Sequence, residues 1–161
     1  MTIVQPTTVS EIMRMPRLIQ SNKTFFDALS DMICNNTNTL LVVDDKGVLV
    51  GKLETFDLIK VVVPDYLEDD LVAAHFADEN LFRDDVSVSK NILVRDFMET
   101  SPKTLSPDSP LMEAATLALQ SNQARLPVID EDGRPVGILT RTEIKKVIGM
   151  YAGVDKCFDK F

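Results

Sequence analysis

The chain has 161 residues, 45% of them apolar, and a net charge of −8, enough for one compact domain or two small ones sharing a core. The charge excludes a bulk surface that wraps nucleic acid but leaves room for a small cationic site facing a phosphate. His75 is the single histidine, so a catalytic zinc site or a His-based triad has almost nothing to be built from. The first twenty residues hold no apolar core of a signal peptide, and no apolar run nears the ~20 residues of a membrane span. Cys34 and Cys157 fit no metal spacing and read as reduced thiols of a cytoplasmic protein.

In chain order, "TFFDALSDMI" (24–33) reads as a helix and "TLLVV" (39–43) as a buried strand. "DDKG" (44–47) is a turn, "VLVGKL" (48–53) the return strand and "TFDLIKVVV" (55–63) a helix. Pro64 ends that helix. The acidic stretch 64–93 has apolar residues at 67, 71, 74 and 81, which predicts an irregular helix in a solvated connector. "LVRDFM" (93–98) and a short extended piece, "PKTLS" (102–106), open a second series. "SPLMEAATLALQSN" (109–122) predicts a helix with Ser109 at the N-cap and Pro110 in the first turn. "LPVI" is a strand, "DEDG" a turn, "PVGIL" a strand and "TRTEIKKVIGM" (140–150) a helix.

The second series repeats the first. Pairing Gly51 with Gly137 sets an offset of 86. Leu40/Leu126, Val42/Val128, Asp44/Asp130, Gly47/Gly133, Val50/Val136, Leu53/Leu139, Lys60/Lys146 and Val61/Val147 are then also identical. Pro16/Pro102 keeps the offset, and Met13/Met98 needs 85. Each copy reads strand, helix, strand, strand, helix, a unit too small to bury both faces alone. The reading is 1–63 for the first unit, 64–93 for the connector and 94–161 for the second unit with its tail.

"VRDFM…MEAA…LPVIDEDGRPVGILTRTEI" and, more loosely, "VSEIM…FDAL…LLVVDDKGVLVGKLETFDL" resemble a tandem pair of cystathionine-β-synthase (CBS) domains. The resemblance implies an α+β fold of two pseudo-symmetric β-α-β-β-α units packed sheet to sheet. It also implies a homodimer built on the helices at 24–34 and 110–121 and those after Glu54 and Thr140. It implies a regulatory module rather than an enzyme, with an adenine nucleotide (AMP, ADP or ATP) as regulatory ligand between the units and no required cofactor. An effector protein would then receive the signal.

The family's closing motif has a Thr or Ser facing phosphate at a helix N-terminus and an Asp holding ribose hydroxyls through two acceptor oxygens. The second copy matches at Thr140, adds Arg141 and replaces Asp with Glu143. The first copy keeps Asp57 but puts Glu54 at the phosphate position. Thr140-x-x-Glu143 is equally a capping box, which alone would account for both residues. Arg17 and Lys103 follow Pro16 and Pro102, and with Thr104 they fall in a stretch that lies near the ligand in the family. Leu126 and Pro127 match the strand that flanks the base, and as core residues they need no ligand. One nucleotide per chain, at the second copy, is the expectation. An adapter with a vestigial site is the alternative.

Overall fold

The computed structural model describes residues 7–154; Cys157 and the rest of the C-terminal tail lie outside them. The helices are α1 (Val9–Ile12), α2 (Phe25–Cys34), α3 (Thr55–Val62), α4 (Asp65–Glu68), α5 (Leu71–Phe76), α6 (Glu79–Ser89), α7 (Leu111–Ser121) and α8 (Arg141–Tyr151). The strands are β1 (Leu18–Gln20), β2 (Thr39–Val43), β3 (Leu49–Glu54), β4 (Glu99–Thr100), β5 (Arg125–Ile129) and β6 (Pro135–Thr140). Among the described residues no helix is long and apolar enough to cross a membrane.

The α+β pattern appears twice. β1-α2-β2-β3-α3 makes the first copy, with β1 parallel to β2 and β2 antiparallel to β3. In the second copy β5 and β6 pair antiparallel, and Leu105 forms a parallel bridge to Val128 in place of a full first strand. The registers correspond residue by residue. Leu40 faces Leu53 and Val42 faces Gly51, while Leu126 faces Leu139 and Val128 faces Gly137. Each hairpin carries a register shift at the same place, after Val42 and after Val128. The turns are built alike. Asp44 Oδ1 accepts the N–H of Lys46 and Val48, and Asp130 Oδ1 those of Asp132 and Arg134. Gly47 and Gly133 both sit at φ 80°, where a side chain would strain the backbone.

The chain forms two compact units, 17–101 and 1–16 with 102–161. These do not follow the copies. The segment that opens the first copy packs into the second-copy unit: Val9 is fully buried there beside Leu105, Leu126 and Leu139. Arg14 bridges antiparallel to Ile138. The segment that opens the second copy packs into the first-copy unit. Val94 is fully buried beside Phe25 and Leu40, and β4 pairs with β3 through Gly51↔Thr100 and Lys52↔Glu99. Each hairpin thus gains an edge partner that its own copy does not supply, which covers open ladder groups.

The connector divides into three helices, α4 to α6, rather than one irregular helix, and it belongs to the first-copy unit. Ser109 does not cap α7. Pro110 holds the cap position, and Ser109 Oγ instead accepts the Ser106 N–H at 3.1 Å, closing its own turn.

Candidate functional site

β6 delivers the chain directly into α8, with Thr140 at the N-cap in extended conformation. Thr140 Oγ1 accepts the Thr142 N–H at 3.2 Å, and the Thr140 hydroxyl donates to Glu143 Oε2. Glu143 Oε2 also accepts the Thr140 N–H at 2.9 Å, completing the capping box. The Arg141 N–H donates to the Ala124 carbonyl at 3.0 Å. The first N–H groups of α8 are therefore engaged inside the chain, contrary to the expectation that they stand open to a phosphate.

What the site does offer is guanidinium. Arg14, Arg125 and Arg141 line one small cleft of about 100 Å³ with Ala124, Thr140 and Thr142. Arg14 Nε lies 2.8 Å from Glu143 Oε1, with the Arg14 side chain 59% exposed and that of Glu143 6%. A buried carboxylate held by a cap and an ion pair fixes the direction of Arg14, whose side chain stays largely exposed. Arg141 makes no side-chain hydrogen bond or ion pair among the described residues. The arrangement gathers three permanent cations on one cleft and suits a bidentate grip on an anion. Glu143 Oε2 is taken by Thr140, while the buried Oε1 faces Arg14 without accepting a hydrogen bond.

Leu126 and Pro127 are buried core residues of β5. Lys103 is exposed and Thr104 half-buried, next to Leu105, whose N–H donates to the Pro127 carbonyl at 2.9 Å. Arg17 belongs to the first-copy unit, where its guanidinium pairs with Asp31 of α2. Arg14 and Arg125 escaped the sequence reading. Arg14 follows Met13 as Glu99 follows Met98, and that offset was the signal available.

The equivalent place in the first-copy unit carries the opposite charge. Glu54 caps α3 and its N–H donates to Asp57 Oδ2 at 2.7 Å. Lys52, 2% exposed on β3, lies 3.7 Å from Glu54 and 3.4 Å from Glu99. Burial pushes the Asp57 carboxyl up from its ordinary value; the Glu54 N–H works against this, and the Glu54 and Glu99 charges add to it. Glu54 and Glu99 on the buried Lys52, with Asp57 held against the Glu54 N–H, repel a phosphate. Among the described residues no group of three or more His, Cys, Asp or Glu is placed to hold a metal.

The model of the CBS domain family matches residues 94–149. A CBS domain-containing protein of Dictyostelium discoideum is 32% identical over 117 residues, with 73% of each chain covered. A crystal structure of CBSX2 in complex with AMP matches with a TM-score of 0.67 at 28% identity, covering 90% of this chain and 98% of that one. This chain spans 52% of the full chloroplastic CBSX2 of Arabidopsis thaliana. The CBS domain pair of protein MJ0100, in complex with 5′-methylthioadenosine and S-adenosyl-L-methionine, matches with a TM-score of 0.67 at 25% identity, covering 89% and 100%. With its hairpins in matching register and its two closing motifs, the chain belongs to the CBS domain family.

Proposed function

We propose that the chain is a regulatory module that binds one adenine nucleotide at the start of α8, through its phosphate. The observation that carries this is the set of three guanidiniums on one cleft, set against three carboxylates at the equivalent place in the first-copy unit. The similarity to CBS pairs in complex with AMP or with S-adenosyl-L-methionine supports an adenosine-containing ligand. In this reading Arg141, Arg125 and Arg14 grip the phosphate, and Glu143 positions Arg14 and Thr140. Lys103 and Thr104 flank the site, with Leu126 and Pro127 as its apolar wall. Arg17 and Asp57 serve the first-copy unit instead.

The signal passes to an effector chain from a homodimer joined through α2, α3, α7 and α8, where Phe26 is 53%, Phe56 73%, Leu119 84% and Ile148 63% exposed. Calorimetric titration with AMP, ADP and ATP tests the reading. Arg141→Ala should weaken binding by about 1.5–3 kcal/mol, the range for a hydrogen bond to a charged group. Its melting temperature without nucleotide should stay unchanged, because an exposed arginine contributes little. Binding equal to wild type, or two equal sites per chain, overturns it.

The carboxylate-rich first-copy site favours a second reading, a dimeric adapter with a vestigial nucleotide site. A nucleotide at a hundred times its Kd adds about 2.7 kcal/mol to stability. A flat thermal-shift response across the adenosine compounds, from a chain that sediments as a dimer, selects the adapter.

A further inference from the structure

Resting on the reading of one nucleotide at the start of α8, we infer that Lys52, with Glu54 and Glu99, is a built-in substitute for the ligand in the first-copy unit. It closes that unit to nucleotide and holds the chain to one site. Lys52 is only 2% exposed on β3, and the ladder fixes the place it fills. Lys52 pairs with Glu99 across β3 and β4 as Ile138 bridges to Arg14 in the other unit. Glu54 is the N-cap of α3 as Thr140 is of α8. Lys52, Glu54 and Glu99 are therefore the counterparts of Ile138, Thr140 and Arg14. Leu40, Val42 and Leu53 belong to the core cluster, so Lys52 and Glu54 project from the opposite face of the sheet.

The three differences act together. In the second-copy unit this place has an apolar wall, the buried Ile138, with the Thr140 hydroxyl and the Arg14 guanidinium. In the first-copy unit the Lys52 ammonium lies 3.7 Å from Glu54 and 3.4 Å from Glu99. Cation and counter-charges both come from the protein, so the place is electrically complete without a ligand. Neither half works alone. The lysine without its carboxylates is a buried unpaired charge, and the carboxylates without the lysine repel each other. Stability does not call for a lysine there. A buried ion pair is often no better than apolar residues of like volume, and Ile138 fills the same place in the other unit. Thr39, opposite Glu54 in register and 6% exposed, has a hydroxyl with no hydrogen-bond partner. An orphan buried hydroxyl beside the ion pairs is the kind of group an occupant would satisfy.

Calorimetric titration with AMP compares the wild-type chain with the triple variant Lys52→Ile, Glu54→Thr, Glu99→Arg, which gives the first-copy unit the residues of its counterpart. The variant should bind one more AMP per chain than wild type. The added site should be about tenfold weaker than the original, because it has one guanidinium against three. Arg141→Ala on this background should weaken the original site and spare the new one. Melting curves give a readout that needs no nucleotide. Glu54→Thr with Glu99→Arg strands Lys52 among cations and should lower the melting temperature by about 6 °C or more. Adding Lys52→Ile should restore it. A triple variant that gains no site, or that melts as low as the double variant, overturns the inference. So does an added site that Arg141→Ala abolishes. A wild-type chain that binds no AMP overturns the nucleotide reading instead, and the gain of one site by the triple variant still decides the role of Lys52.

Discussion

Gly51 and Gly137 anchor the repeat at the level of single residues, and both are held by a methionine. A Cβ on Gly51 would stand 2.4 Å from Met98 Sδ and 2.8 Å from the Glu99 carbonyl oxygen. On Gly137 it would meet Met13 Sδ at 2.3 Å. Gly51→Ala must therefore displace the β4 backbone, and a cost of about 1–3 kcal/mol follows for overpacking. At Gly137 the three nearest atoms all belong to a flexible side chain, so Gly137→Ala should cost less. Urea unfolding of both variants checks the order, and equal losses would contradict it. Asp57 supplies a pH signature. Its carboxyl is raised above the ordinary 3.8 chiefly by burial. A raised group gives its full stability contribution below the unfolded value and loses it as pH rises through the folded value. Asp57→Asn keeps an oxygen for the Glu54 N–H and removes the charge. Its stability relative to wild type should therefore rise from pH ~3.5 to pH ~7; a constant difference would show that burial of this charge costs nothing.

At the scale of the element, helix starts show both what a local rule can read and where it errs. Thr24 and Thr140 each stand three residues before an acid, and both form capping boxes. Thr24→Ala removes the acceptor for the Asp27 N–H and should cost about 1 kcal/mol. Thr140→Ala removes an acceptor and a buried donor together and should cost more, up to about 2 kcal/mol. Thr140→Ser should restore most of it. Thermal unfolding ranks the three, and an Ala variant as stable as the Ser variant would remove the hydroxyl from the account. The same rule failed at Ser109, because an equally local bond to Ser106 competes for its hydroxyl. The Asp-and-Gly turns were legible because they depend on neighbours in sequence. The cleft was legible only by half. Thr140 and Arg141 sit in the motif, whereas Arg14 reaches it through the Arg14↔Ile138 bridge, a pairing that no local pattern encodes.

At the scale of the whole molecule, the exchange of opening segments makes the two halves unequal as pieces of chain. Residues 17–101 contain one compact unit without a break. The other unit needs 1–16 as well as 102–161. Cut at the repeat boundary, a fragment 94–161 lacks Val9, which is fully buried, and Ile12 and Met13, which pack against the same cluster. Full burial of such a side chain is worth roughly 1.5–3 kcal/mol, and a unit of this size has little stability to spare. It also lacks the Arg14 backbone groups that exchange hydrogen bonds with Ile138, at 2.9 Å in each direction. The fragment 17–101 keeps Val94, the Met98 cover on Gly51 and β4. Fragment 17–101 should therefore unfold cooperatively in urea, while 94–161 should show no cooperative transition. Adding a peptide of residues 1–16 to 94–161 should restore one, with a midpoint that rises with peptide concentration. A cooperative 94–161 that ignores the peptide would mean that the repeat, and not the interleaved unit, is what folds.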